Sequence, residues 1–163
     1  MNTNDLAQEA RIPNPALKKF EILIGEWKTV GTHFHVEHTI LEGKCSFGWI
    51  EGGAFLIWRS FVNHKLFPAG ISILGSDDAT GELFMLYFDQ RKVSRKQNVS
   101  FENNVFKWWR NAPGFSQRYT LTISEDGNTI DSKGELSQDG DNWQKDLDQV
   151  FTRIRSEERS QNL

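Results

Sequence analysis

Five arginines of this chain follow or interrupt aromatic and apolar runs. Arg59 ends "AFLIWR", Arg91 and Arg95 flank "KVS", Arg110 ends "FKWWR" and Arg118 follows "GFSQ". Surface placement is the simplest reading of any one of them. An arginine removed from water without a partner is costly, so any that point inward require an acid or an anionic ligand. A guanidinium fork grips a carboxylate or phosphate through two parallel bonds. The acids at hand are Asp89, Asp146 and Asp148, and the last two occupy alternate positions of one expected strand, on one face. Two interiors follow. Either arginine–aspartate pairs form a satisfied structural network, or one or two arginines stay free to bind an anion against an aromatic wall. The second reading gives the candidate ligand-binding set Trp49, Arg59, Tyr87, Asp89, Arg95, Trp108, Arg110 and Arg118, with Trp58 as a further wall residue.

Other constellations carry less. His33 and His35 share a strand face if the strand continues through them, and Glu37 extends that face. Two histidines hold zinc weakly without a third ligand, so no metal site is expected. No Ser sits in a Gly-x-Ser-x-Gly elbow, and no His follows His64 to serve a late nucleophile. Neither a phosphate loop nor a dinucleotide fingerprint occurs, since the glycines of "GWIEGGAF" read as a hairpin. Asp89 beside Tyr87 is a pair of titratable groups without a mechanism. An enzyme acting on a hydrophobic acid in a cavity remains an alternative to plain binding.

The elements that must position these residues are strands. A chain of 163 residues is one domain by length. Its 12% aromatic content, with twelve Phe and six Trp, favours strands over helices. A net charge of −3 points away from nucleic acid and anionic membranes. The single cysteine, Cys45, excludes an internal disulfide and reads as a small core residue. The opening "MNTNDLAQEARIPNP" lacks the apolar stretch of a signal peptide, and a cytoplasmic location is expected. Residues 1–13 read as a polar segment and 156–163 as a polar tail around one domain, 14–155. "NPALKKFEILIG" predicts a short helix, with Asn14 as cap, Pro15 in the first turn and Gly25 at its end. Turn residues then recur every eight to twelve positions. They divide the chain into about ten β-rich runs: 26–36, 45–51, 54–63, 70–76, 82–89, 94–101, 104–111, 116–124, 129–137 and 142–154. Such strands meander antiparallel and would leave long edges if flat. A closed or nearly closed barrel, with the helix covering one end, removes those edges, and a two-sheet sandwich is the alternative.

The helix followed by Gly25-x-Trp27 at the head of the first strand resembles the signature of lipocalins and the wider calycin barrels. "SFGWIEGGAFLIWRS", "FPAGISILGSD", "MLYFDQR", "WWRNAPGFSQRY" and "DGDNWQKDLDQVFTR" extend it to a bacterial lipocalin-like family, related in fold to fatty-acid-binding proteins and to the haem carrier nitrobindin. The resemblance implies that Arg153 packs across Trp27 at the closed end of the barrel. It implies a small-molecule ligand in the interior rather than a particular chemistry. Fatty-acid-binding proteins clamp a carboxylate with an Arg-x-Tyr pair, whereas Arg118 and Tyr119 are adjacent and face opposite ways. Nitrobindin-like haem binding uses a late-strand His; all four histidines here lie within the first 64 residues, so no haem and no other cofactor is expected.

The doubled tryptophan of "NVFKWWRNAPGF" tests orientation. One choice turns Phe106, Trp108 and Arg110 inward; the other turns Val105, Lys107 and Trp109 inward. A lysine stem over an indole is common on outer faces and favours the first. The expected function is non-covalent binding of a small, partly apolar, anionic ligand in the barrel. A self-associating barrel with a filled interior, forming a homodimer through outward aromatics, is the alternative.

Overall fold

The computed structural model describes residues 13–155. The polar tail 156–163 and all but the last residue of the polar segment 1–13 lie outside the described residues. The described residues form eleven strands: β1 (Gly25–Thr32), β2 (Leu41–Ile50), β3 (Phe55–Val62), β4 (Gly70–Ser76), β5 (Leu83–Asp89), β6 (Ser94–Glu102), β7 (Val105–Arg110), β8 (Ser116–Ile123), β9 (Thr129–Ser137), β10 (Gln144–Lys145) and β11 (Asp148–Arg153). Strands β1 to β9 each pair antiparallel with the next in sequence, β9 pairs with β11, and β11 pairs with β1. This closes a ten-strand barrel, and the two-residue β10 is an extra strand on the far end of β9. Closure leaves the ring without a free edge.

Local chemistry explains the turns. Asn103 and Asn104 join β6 to β7 with φ of 51° and 58°, the left-handed pair that a tight two-residue hairpin needs. The short helix runs from Pro15 to Leu23 as a 3-10 helix. Asn14 accepts a bond from the Ala16 amide at its start. Leu17, Phe20 and Leu23 are fully buried, and the Phe20 ring lies 4.9 Å from that of Phe101 and 5.3 Å from that of Phe106.

Two expected strands change at their ends. The first stops at Thr32, because His33 caps a one-turn 3-10 segment, Phe34–Val36, by accepting the His35 amide on its own ring. His33, His35 and Glu37 therefore do not share a strand face. The last expected strand breaks at Asp146 and Leu147 between β10 and β11, so Asp146 and Asp148 do not share one either. Asp146 is buried, whereas Asp148 accepts the Gly134 amide and lies 3.7 Å from Lys133.

The register assigns the inner face. Trp27, Cys45, Phe47, Leu56, Leu74, Met85, Phe106, Leu121, Ile130 and Phe151 are buried in the core, each on the inner side of its strand. Gly134 faces Tyr119 across the β8–β9 pair, and a Cβ there would lie 2.4 Å from the tyrosine ring. The absent side chain is what lets Tyr119 lie flat against Trp108, at 4.4 Å and 11°.

Candidate functional site

The interior divides into two ends of different chemistry. At the end where β1 begins and β11 finishes, Arg153 stacks over Trp27 at 4.1 Å. Its guanidinium also donates to the carbonyls of Gly127 at 2.9 Å, Ile24 at 2.6 Å and Ile22. The Trp27 indole donates to Leu23 at 2.9 Å. Each guanidinium nitrogen and the indole nitrogen of this knot has an acceptor. Trp49 is on the inner face here, opposite Leu56, and packs against the apolar core. That places it in the filled half of the barrel, away from the arginines.

At the other end the inner face turns polar. On β5, the Tyr87 hydroxyl donates to Asp89 at 2.8 Å, and Arg91 in the following turn pairs with Asp89 at 2.7 Å. The Arg91 bonds, followed by that from Tyr87, hold the Asp89 carboxyl at about 2. Burial, reinforced by the neighbouring carboxylate, pushes the Tyr87 phenol up to about 12. Asp89 is thus already committed.

Arg95 faces inward on β6 opposite Tyr87, donates to Gln117 Oε1 at 3.2 Å and lies over the Phe115 ring at 4.8 Å. Gln117 in turn donates to Asp146 at 2.7 Å, and Asp146 meets His33 Nε2 at 3.0 Å. Because His33 Nδ1 accepts the His35 amide, both ring nitrogens are engaged. Arg110 faces inward on β7 opposite Gln117. Its guanidinium has no hydrogen bond or ion pair with any described residue. Burial and then the charge of Arg110 lower the pKa of Arg95. Two buried atoms lie beneath the pair without partners among the described residues: Gln97 Oε1, on a residue 3% exposed, and Trp108 Nε1, on one 8% exposed.

Of the candidate residues, Tyr87, Asp89, Arg95, Trp108 and Arg110 therefore come together on the inner faces of β5, β6 and β7. Trp108 rather than Trp109 is the inward indole. Arg59 and Arg118 are corrections to the interior set. Trp58 takes the inward position against Phe47, at 5.1 Å, and alternation sends Arg59 out. Tyr119 likewise takes the inward position, and Arg118 bonds Glu135 at 2.6 Å and stacks on Trp143 at 3.9 Å outside. Arg59 lines an open outer groove of about 750 Å³ with Phe61, Ile71 and Phe88.

Gln97, Gln117 and His33 escaped the sequence reading as site members. Gln97 was within reach of it, since it alternates with Arg95 on one strand face. The roles of Gln117 and His33 depend on Asp146, whose inward turn comes from the break between β10 and β11. Among the described residues no cluster of three or more His, Cys, Asp or Glu is placed to hold a metal ion, and no helix is long and apolar enough to cross a membrane.

The fold and this polar end define a closed antiparallel barrel with an inward cationic mouth. No protein-family model matches the chain, and no curated protein sequence matches it. Among solved structures it is similar to the crystal structure of Rv2717c from M. tuberculosis, with a TM-score of 0.58 and 15% identity over 87% of this chain and 99% of that one. At that identity the likeness concerns the fold alone.

Proposed function

We propose that this protein is a lipocalin-like barrel that binds a small, partly apolar anion non-covalently at its polar end, with the 3-10 helix closing the other. One observation carries the binding reading: Arg95 and Arg110 both face inward, and neither has a carboxylate partner among the described residues, because Asp89 and Asp146 are engaged elsewhere. The Trp27–Arg153 stack supports the family assignment. Titration of intrinsic tryptophan fluorescence with benzoate and laurate tests the site, since Trp108 lies beneath the arginines. Saturable quenching by either acid, weakened at least about tenfold in Arg110→Met, is the expected result. No saturable signal from either acid, or equal affinity in the variant, refutes it.

A second reading, self-association, draws on the outer groove. Phe61 is 51% exposed, with Ile71 and Phe88 each 38% exposed; the register sets Ile71 opposite Phe88, and Phe61 lines the same groove. Sedimentation velocity of the wild type and Phe61→Ser separates a dimer built on this patch from a monomer.

A further inference from the structure

We infer that the anion taken between Arg95 and Arg110 is a compact hydroxy acid, a conclusion that rests on the binding reading above. Depth sets the size. Arg110, Trp108 and Phe106 are successive inward residues of β7, so a strand rise of about 3.4 Å puts Trp108 about 7 Å below Arg110 and Phe106 about 14 Å below it. Phe106 is fully buried, and Phe20 and Phe101 close on it from the helix and β6. Trp108 is held flat against Tyr119, whose hydroxyl accepts the Leu147 amide at 3.3 Å. An extended long-chain fatty acid is longer than this whole inner face. The apolar part of the ligand is therefore a single ring or a few carbons.

Hydrogen-bonding capacity sets the chemistry. The arginines and the Trp108 indole offer donors, which a carboxylate satisfies. Gln97 Oε1 is buried and receives no bond from Arg95, Arg110 or Trp108, and a carboxylate brings it no donor. Gln97 lies one inward step below Arg95 on β6, in line with Arg110 on β7, so the missing donor belongs beside the acid group. An ammonium would be repelled by the two arginines and finds no free carboxylate, since Asp89 and Asp146 are engaged. A hydroxyl next to the carboxylate fits all four groups.

Calorimetric titration with mandelate, phenylacetate and laurate tests this, because mandelate and phenylacetate differ by one hydroxyl. The better mandelate enantiomer is expected to bind the wild type at least about tenfold more tightly than phenylacetate, with laurate weakest. In Gln97→Met the two aromatic acids should bind within about twofold of each other, while Arg110→Met weakens both. Equal wild-type affinity for mandelate and phenylacetate, with both weakened in Arg110→Met, overturns the hydroxy-acid inference and leaves the binding reading standing. Laurate binding more tightly than mandelate overturns it too, as does a tenfold mandelate preference that survives Gln97→Met. No saturable binding of any of the three acids sinks both. If Gln97→Met does not fold, the wild-type ratio decides.

Discussion

Replacing Arg110 with methionine should leave the barrel as stable as before or make it slightly more stable. The Arg110 guanidinium has no hydrogen bond or ion pair to lose among the described residues, and its charge disfavours that of Arg95. The two occupy inward positions offset by one step on neighbouring strands, a diagonal separation of about 7–8 Å. Unit charges at that distance repel by about 0.5 kcal/mol in water and about 2 kcal/mol at an effective dielectric near 20. Both side chains are half-buried at the mouth, so solvent screening keeps the gain near the lower figure, about 0.5–1 kcal/mol. For a domain of this size that raises Tm by about 1–4 °C. Urea unfolding followed by tryptophan fluorescence reads it as a higher midpoint at unchanged slope. The difference should shrink in molar salt. A loss of more than about 1 kcal/mol would show that Arg110 holds the structure together, and the case for a free cation would fail.

Arg153→Met should do the opposite. It removes the donors to three backbone carbonyls and the cation over Trp27, at a cost of about 3 kcal/mol and about 6–12 °C in Tm; a change under 2 °C contradicts it. Cys45, which burial pushes up to about 12 despite the Trp58 indole beside it, should resist a thiol reagent at pH 8 and react only as fast as the barrel opens. Asp89 is held at about 2, below its unfolded value near 3.9. The unfolded chain thus binds its proton first, and the stability from Asp89 is complete above about pH 5 and lost as pH falls through 4 towards 2. Asp89→Asn should flatten that acid limb of the melting profile, and an unchanged limb contradicts the Arg91 pairing.

The barrel was legible because its strands alternate. In "ELFMLYFD" the inward set Leu83, Met85, Tyr87 and Asp89 is visible as a period of two, and the turn residues Asn103 and Asn104 mark a hairpin. Three features were not legible, each because a long-range contact decides it. The strand ends at Thr32 because the ring of His33 captures the next turn's amide and meets Asp146, 113 residues away. Asp146 turns inward because the chain breaks its strand at that point. The faces of Arg59 and Arg118 follow from which neighbour packs better inside, and in both cases an aromatic ring wins over a cation. Periodicity says that adjacent residues oppose one another, and only the closed register says which one is inside.

The contrast between Arg153 and Arg110 bears most directly on function. Both are inward guanidinium groups in one barrel, near its opposite ends. Around Arg153 three carbonyls and an indole face are arranged so that each guanidinium nitrogen has an acceptor. Around Arg110 a second arginine approaches instead of an acid, and the amide oxygen and indole nitrogen beneath are left without partners among the described residues. Buried polar groups in native proteins are nearly always satisfied, so separate lapses scattered over a molecule would mean little. Here the unpaired cation, the acceptor and the donor occupy neighbouring inward positions of two strands, whereas Thr29 Oγ1 and Trp58 Nε1, the other buried atoms without partners among the described residues, stand apart on β1 and β3. Local rules broken together in one place mark a site shaped for something other than stability. The Tm of Arg110→Met and the anion titrations probe that one place by independent readouts.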